Sequence, residues 1–398
     1  MATTLTRPTS GWRLSLVNSA RREWQFLCNS PWDMALITWI PWLAMALLAA
    51  MFYSAVPRSL PVAIVDDSRG PVSRQLIRAL EAAPALDVRA RPLQLSDAWS
   101  LARAMQVDAV IHIPANADDQ VQRGQQATVF AFYNAAFTTA GASAFRDIDA
   151  AVKSLSSRVV LEHTALQRGP GSVKPAPVSA QVSVLFNPAR SFEQFLLGLL
   201  LPAILHLMLC VAVTSACCRE LRDGTAGHWL EQAGGHLPGA ILGKLLLYVP
   251  LFSLYGFAAV LWVGAIRGDG IPGSLPALLA GQVLMYAAYA AIGLLLSGVV
   301  RTMGTALSGV GLYAGTSLAF CGATFPIDGA SLFARLWHYL LPFTSYVKLD
   351  AAERYLDAPA SVTFTHLGAL GLFILIPGAI GYHAYRQAVY DPSSWGKR

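Results

Sequence analysis

The residues best suited to hold a nucleotide are the glycines and lysine of Gly239-Ala-Ile-Leu-Gly243-Lys244-Leu245. A phosphate-binding loop has four residues between its glycines, and a serine or threonine follows its lysine to bind magnesium. Here three residues separate the glycines, and Leu245 follows the lysine. We therefore expect no ATP site in this segment, and we interpret Lys244 as the basic flank of an apolar helix.

The other ionisable residues form no pattern typical of catalysis. Asp66 and Asp67 follow an apolar strand, where a turn or helix-capping role is more common than acid–base chemistry. His112 alternates within another apolar strand and has no partner at metal-binding spacing. His206 lies well inside an apolar run, where a packed, hydrogen-bonded ring is favoured and a proton relay is the alternative. We expect no enzymatic activity, no cofactor and no metal in this chain.

The composition is that of a membrane protein. Of 398 residues, 55% are hydrophobic and 13% are charged, about half of the roughly 25% charged residues usual in soluble domains. Such a chain cannot cover a globule with polar surface, so its apolar surplus must face lipid. The net charge of +6 comes from scattered residues, without the basic stripe that nucleic-acid binding requires.

Six apolar runs approach the roughly 20 residues that a helix needs to cross a membrane. They are residues 34–56, 195–217, 245–266, 275–300, 306–324 and 367–385. The first run exceeds the apolar core of a signal peptide, which has about 7–15 residues. It is therefore predicted to be an uncleaved anchor.

The distribution of basic residues predicts the topology, because cytosolic loops are enriched in Lys and Arg. The side of both termini would hold Arg7, Arg13, Arg21, Arg22, Arg219, Arg222, Lys244, Arg301, Arg386, Lys397 and Arg398. The opposite short loops would hold Arg267, Arg335, Lys348 and Arg354, mixed with acids. Both termini are therefore predicted to be cytosolic, and residues 57–191 extracytoplasmic.

Residues 1–33 precede the first span and include an amphipathic stretch. Its apolar face is predicted to contain Leu16, Val17, Ala20, Trp24 and Leu27. An interfacial helix is expected here, with an ordinary basic flank as the alternative.

Residues 57–191 are numerous enough to form an independent domain. Strand-like runs at 61–65, 108–113 and 128–133 alternate with helical spacing at 72–82, 97–105 and 142–167. This alternation predicts an α/β domain with a partly parallel sheet. The predicted fold class is thus a multi-span α-helical membrane protein with six spans and an inserted extracytoplasmic α/β domain. Residues 192–398 would form its five-span part.

Several local motifs occur in an order that resembles one protein family. They are Asn187-Pro188-Ala-Arg-Ser191, Arg219-Glu220-Leu-Arg222-Asp-Gly224-Thr225, Gly243-Lys244, Thr324-Phe325-Pro326, Trp337, and Leu341-Pro342-Phe343-Thr344-Ser345-Tyr346. With the arrangement of one span, a large outer domain and five more spans, this resembles the bacterial type-2 ATP-binding-cassette exporter permeases. Three departures are Arg222, where the family has a second acid, Ala203, where a glycine often follows the proline, and Ala233-Gly234-Gly235, near which the family usually has a proline.

The resemblance implies a permease subunit of an ATP-driven exporter in the bacterial cytoplasmic (inner) membrane. Its partners would be a separate ATPase subunit, which binds the ATP, and a second copy or close relative of the permease. The cytosolic loop 218–244 would couple the permease to the ATPase through Arg219, Glu220, Arg222, Gly224, Thr225, Trp229 and Leu230. Trp229 and Leu230 would be its apolar anchor, and Thr225 the cap of a short helix. An outer gate would include Phe325, Pro326, Trp337 and Pro342.

Two alternatives remain open from the sequence. The chain could be a membrane receptor whose outer domain senses a ligand, or a scaffold for an envelope-spanning export complex. A periplasmic adaptor and an outer-membrane channel are further partners that the sequence leaves undecided. The residues do not identify the substrate, for which a drug-like or amphipathic compound is one option.

Overall fold

The computed structural model describes residues 11–53, 59–133, 138–168, 191, 193–268 and 270–396, without the side chains of residues 138–143 and 162–168. Of the motif at 187–191, only Ser191 falls within them. The chain forms two compact units, one comprising Met1–Tyr53 and Leu185–Arg398, the other Ser54–Val184.

Three helices open the first unit: α1 (Trp12–Asn29), α2 (Pro31–Ile37) and α3 (Trp39–Met51). A bend of 42° separates α2 from α3 at Thr38. The buried side of α1 consists of Ser15, Ser19, Glu23 and Leu27, which are spaced four residues apart.

The face of α1 that packs against protein differs from its predicted apolar face, of which Leu27 is buried, and the interfacial position of α1 stays a prediction. Val17 and Trp24 of the predicted apolar face are about half exposed, at 48% and 53%. Ser15, Ser19 and Glu23 instead face the protein interior. There they pack against the helix Leu237–Val260, which contributes glycines and the basic side chain of Lys244.

The Ser54–Val184 unit is an α/β fold. Its elements are β1 (Leu60–Asp66), α4 (Pro71–Glu81), β2 (Leu86–Ala90), α5 (Leu95–Arg103), β3 (Ala109–Ile113), α6 (Ala117–Gln122), β4 (Phe130–Tyr133) and α7 (Thr138–Arg168). The strand order is β2-β1-β3-β4. The strand β1 pairs in parallel with β2 and β3, whereas β4 pairs antiparallel with β3. The sheet is therefore partly parallel, as the alternation of strands and helices predicts.

The acidic residues after β1 have local structural roles. Asp66 accepts hydrogen bonds from the Arg69 amide and the Ser73 hydroxyl. Asp67 pairs with His112 at 2.9 Å. These contacts organise the turn between β1 and α4.

The first unit continues with nine helices in the described residues beyond 191. They are α8 (Gly198–Arg222), α9 (Ala226–Gln232), α10 (Leu237–Val260), α11 (Leu275–Val300), α12 (Met303–Gly315), α13 (Ser317–Phe320), α14 (Leu332–Tyr339), α15 (Pro342–Ala351) and α16 (Ala360–Tyr390). π-helical segments precede α8 (Glu193–Leu197) and follow α10 (Leu261–Ile266) and α15 (Ala352–Leu356).

Four described helical segments are long and apolar enough to cross a membrane: Glu193–Arg222, Leu237–Ile266, Leu275–Val300 and Ala360–Tyr390. Counting the bent α2–α3 pair as one crossing gives five. The predicted fifth span forms α12, which ends at Gly315, and the four-residue α13. Thirteen residues of α12 extend only about 20 Å, less than the roughly 30 Å hydrocarbon core. The count of six spans therefore stays a prediction.

Small residues let α11 and α16 approach closely. A Cβ at Gly298 would lie 2.4 Å from the Tyr385 amide nitrogen, and one at Gly381 would lie 2.8 Å from the Leu295 backbone. Tyr385 is fully buried and donates a hydrogen bond to the Cys217 carbonyl. These contacts hold α16 against α11 and against the C-terminal part of α8.

Candidate functional site

Four buried charged residues meet where α1, α8 and α10 come together. Glu23 lies on α1, Arg219 and Glu220 on the last turn of α8, and Lys244 on α10. None is more than 6% exposed. We call these four residues the charge cluster.

Glu23 is the acidic centre of the charge cluster. Its carboxylate accepts hydrogen bonds from an Arg219 guanidinium nitrogen at 2.6 and 2.8 Å. The Tyr248 hydroxyl donates to it at 2.6 Å, and Lys244 Nζ lies 3.2 Å away. The guanidinium of Arg219 also lies 3.4 Å from the centre of the Phe26 ring. A carboxylate with this many donors remains ionised although it is buried.

The electrostatics of Glu23 follow from opposing effects. Burial favours the neutral acid, but Lys244 and Arg219 outweigh burial and lower the pKa of Glu23 from 4.5 to about 2. The side chain is therefore negatively charged at neutral pH and holds two cations of other helices.

Glu220 connects the charge cluster to the loop after α8. It accepts a hydrogen bond from Lys244 Nζ at 2.9 Å and one from the Thr225 hydroxyl at 2.6 Å. Arg22 of α1 pairs with it at 3.1 Å. Thr225 stands at the predicted N-cap position of α9, but its hydroxyl bonds to Glu220 and not to a helix amide.

The loop after α8 begins with a tight, hydrogen-bonded turn. Gly224 has a φ of +68°, a conformation that glycine adopts without steric cost. The Thr225 amide donates to the Glu220 carbonyl, and the Gly224 amide to the Leu221 carbonyl. This is the Schellman arrangement that ends helices, and it fixes the direction of α9. Arg222 pairs with Asp223 at 2.8 Å on the outer side of the turn.

Trp229 and Leu230 lie in the core, at 1% and 2% exposure. The Trp229 indole donates to the Ser19 hydroxyl at 3.0 Å, and Lys244 Nζ lies 5.0 Å from the ring centre. An apolar anchor for an external partner, the role predicted for these two residues, would have to be exposed, whereas both pack within their own chain. Trp229 and Leu230 hold α9 against the rest of the helical unit. The surface that covers Trp229 belongs to α1 and not to a partner subunit.

The exposed side of α9 is polar. His228, Glu231 and Gln232 face outwards, and Gln232 donates to the His228 ring. Contact between loop 218–244 and an ATPase remains a prediction, and these side chains are the ones available for it.

The segment that resembles a phosphate-binding loop is a helix-packing surface. A Cβ at Gly239 would lie 2.6 Å from the Trp12 carbonyl oxygen, and one at Gly243 would lie 2.3 Å from that of Leu16. Two glycines four residues apart on α10 thus receive the backbone of α1. Lys244, predicted to be a basic flank, is 1% exposed.

The residues predicted for the outer gate have different environments. Phe325 and Pro326 are exposed, whereas Pro342 is buried at the start of α15. Trp337 is half-buried, stacks on Phe333 and donates to the Thr316 hydroxyl at 3.0 Å. Trp337 therefore holds α14 at the break between α12 and α13, and the gate role stays a prediction.

His206 is a packed side chain. Its ring stacks on Tyr289 with 4.0 Å between centres, and its two nitrogens lie 2.9 and 3.2 Å from the carbonyl oxygens of Pro202 and Ala314. This agrees with the favoured prediction for His206. Within the described residues, no three His, Cys, Asp or Glu side chains are grouped to hold a metal ion.

Sequence reasoning missed Glu23 as a member of the site. Its partner Arg219 is 196 residues away in the chain, so no local sequence pattern indicates that the two residues form a pair. The available signal was the spacing of Ser15, Ser19 and Glu23, which matches the spacing of Gly239 and Gly243 on α10.

No curated protein matches the sequence closely enough to serve as a relative. The profile of the ABC-2 family transporter proteins, however, matches residues 31–383. The match covers most of the chain, including α8, α9 and α10. The chain therefore belongs to the ABC-2 transporter family and is a type-2 ATP-binding-cassette permease.

Proposed function

We propose that this permease exports a substrate across the bacterial cytoplasmic membrane, using ATP hydrolysed by a separate subunit that contacts loop 218–244. The observation that supports this most directly is the charge cluster. It ties α9 to the ends of α8 and α10, which are two candidate spans, and to α1.

A rigid connection is what a coupling element requires. Trp229 anchors α9 on Ser19, Glu220 holds Thr225, and Lys244 joins Glu220 to Glu23. Charge-assisted hydrogen bonds away from water are strong and directional. A force on the exposed side of α9 would therefore displace the ends of α8 and α10 together.

The assembly and orientation belong to the same proposal. A second copy or close relative would complete the pathway, and both termini would lie in the cytosol, with residues 57–191 in the periplasm. The substrate would be a drug-like or amphipathic compound, and an adaptor with an outer-membrane channel is an optional extension.

Affinity purification of the tagged protein in mild detergent tests the proposal. We expect an ATP-binding-cassette subunit to co-elute, with ATPase activity that disappears when its phosphate-binding loop is mutated. Repeated preparations without an ATPase would contradict the proposal. Co-elution of only a periplasmic adaptor would instead favour the scaffold.

A surface variant tests the contact itself. Glu231 is exposed on α9, so Glu231→Arg changes the presented charge without disturbing the core. We expect weaker ATPase co-elution and lower transport, because reversing a charge at an interface weakens complementarity. Asp328→Arg, an equivalent change at an exposed position outside the loop, serves as the control. Equal behaviour of the two variants would remove this face of α9 from the proposal.

A further inference from the structure

An apolar groove lies on the surface of the helical unit, between α10 and α16. Its volume is about 550 Å³. Leu242 and Leu246 form an exposed rim at 52% each, whereas Ala290 and Leu294 form a buried floor on α11. Among its lining side chains, the hydroxyl of Tyr382 is the sole polar group.

The depth of the groove comes from small residues. Ala287, Ala290 and Ala291 of α11 lie beside Gly378 of α16. A Cβ at Gly378 would contact the Ala291 Cβ at 3.6 Å, so the two helices nearly touch there. Because these residues are small, they leave space between the longer side chains of α10 and α16.

The length of the groove matches one leaflet of a membrane. Along α10 it extends from Pro238 to Pro250, which is about 18 Å at the helical rise of 1.5 Å per residue. Half of the roughly 30 Å hydrocarbon core is about 15 Å. An extended acyl chain fits a slot of this length and chemistry, whereas water would gain almost no hydrogen bonds.

Two guanidinium groups stand at one end of the groove. Arg13 precedes the lining residue Leu16 by three positions, and Arg386 follows the lining residue Tyr382 by four, so each shares a helix face with its lining residue. Both are exposed, and neither pairs with a carboxylate within the described parts of the chain. The α1 helix runs beside α10 with Trp12 near Gly239 and Leu16 near Gly243, which puts Arg13 at the Pro238 end.

We propose that this groove binds an acyl chain of an anionic phospholipid, whose headgroup phosphate contacts Arg13 and Arg386. In the orientation of the proposed function, this lipid belongs to the cytosolic leaflet. A second copy of the chain is a less suitable occupant of the groove than a lipid. A twofold contact through this face would bring two pairs of unpaired guanidinium groups together.

Titration of phosphatidylglycerol and phosphatidylcholine, followed by native mass spectrometry of the detergent-solubilised protein, tests the headgroup contact. We expect the Arg13→Gln, Arg386→Gln double variant to bind phosphatidylglycerol on the order of 30-fold more weakly, or about five-fold per guanidinium. Its affinity for phosphatidylcholine should change much less. The control is Arg21→Gln, which lies about 140° around α1 from Leu16, at 100° per residue, and should change either affinity less than about two-fold.

A variant in which a larger side chain fills the groove tests the contact with the acyl chain. Ala287 is half-buried and lines the groove, whereas Ala379 is exposed on α16 and does not line it. Ala287→Phe should remove retained phosphatidylglycerol, and the matched Ala379→Phe should leave it. Equal retention by both variants, or a change in the number of protein copies per particle without a change in lipid, would overturn the proposal. These measurements need no ATPase, so they stand apart from the test of the transport function.

Discussion

Glu23 offers the sharpest test of the charge cluster. Replacement by glutamine keeps the size of the side chain and removes its charge. Arg219 and Lys244 would then face an amide in a site where Glu23 is 1% exposed. Because Glu220 balances only one of these cations, the variant leaves a buried positive charge without a partner.

The magnitude follows from the pKa of Glu23. Arg219 and Lys244 overcome the effect of burial and lower this pKa from 4.5 to about 2. At about 1.4 kcal/mol per pKa unit, the folded state favours the ionised carboxylate by about 3 kcal/mol. Breaking one partner of a buried ion pair costs about 3–5 kcal/mol in other proteins. We therefore expect Glu23→Gln to lower the free energy of unfolding by about 3 kcal/mol.

The chain supplies its own reporters for the assay. Cys210, Cys217, Cys218 and Cys321 are buried, so a thiol-reactive fluorescent dye reports unfolding when these residues become accessible. At about 2–4 °C per kcal/mol, the apparent melting temperature should fall by about 6–12 °C at pH 7. Glu231→Gln, which neutralises an exposed acid on α9, should change it by less than about 2 °C, because exposed charges contribute little.

The pH dependence provides an internal check. The pKa of Glu23 is lower in the folded state, so its contribution is complete above about pH 4.5 and is lost as the pH falls towards 2. The difference between the natural protein and Glu23→Gln should therefore be constant from pH 7 to about 5 and shrink below 4.5. An unchanged melting temperature at pH 7, or a difference that grows on acidification, would refute the reasoning.

Two further predictions concern helix packing and topology. Gly243→Leu should displace α1, because the new Cβ would lie 2.3 Å from the Leu16 carbonyl oxygen, whereas a Cβ at Gly371 would meet nothing within 4 Å. Tryptic cleavage within α1 should be faster for Gly243→Leu than for Gly371→Leu, and equal rates would contradict the packing role. Cys28 is the exposed one of five cysteines, so a membrane-impermeant maleimide should label it in inverted vesicles and not in intact cells. Ser96→Cys in a Cys28→Ser background should show the reverse, and labelling of Cys28 in intact cells would overturn the predicted orientation.

Hydropathy predicted the long helices well. The predicted run 275–300 coincides with α11, and the run 195–217 lies within the helical segment Glu193–Arg222. Both are long apolar stretches. In such stretches the removal of apolar side chains from water is the dominant contribution to the placement of the helix. The run 306–324 stays a predicted span, because apolarity alone does not determine where a helix ends. Here the helix α12 ends at Gly315.

The charge cluster could not be derived in the same way. Sequence patterns assign Glu220 and Lys244 to a coupling loop and a helix flank, and do not predict their burial, since charged residues are seldom fully buried. Their burial depends on α1, which is distant in the chain and contributes Glu23 as the missing partner. The same absence led to the expectation that Trp229 would anchor a partner subunit. The contact that covers it comes from Ser19 on α1.

The lengths of the helices explain how charges can be buried here at an acceptable cost. The helical segments Glu193–Arg222 and Leu237–Ile266 each have 30 residues, or about 45 Å, which exceeds the hydrocarbon core by about 15 Å. Arg219, Glu220 and Lys244 lie within the last or first eight residues of these segments, so the excess length is sufficient for the charge cluster to lie outside the lipid. The charges are then surrounded by protein donors and acceptors. If α9 contacts an ATPase as proposed, its displacement would reach the ends of both helical segments through the side-chain contacts of Glu220, Trp229 and Lys244.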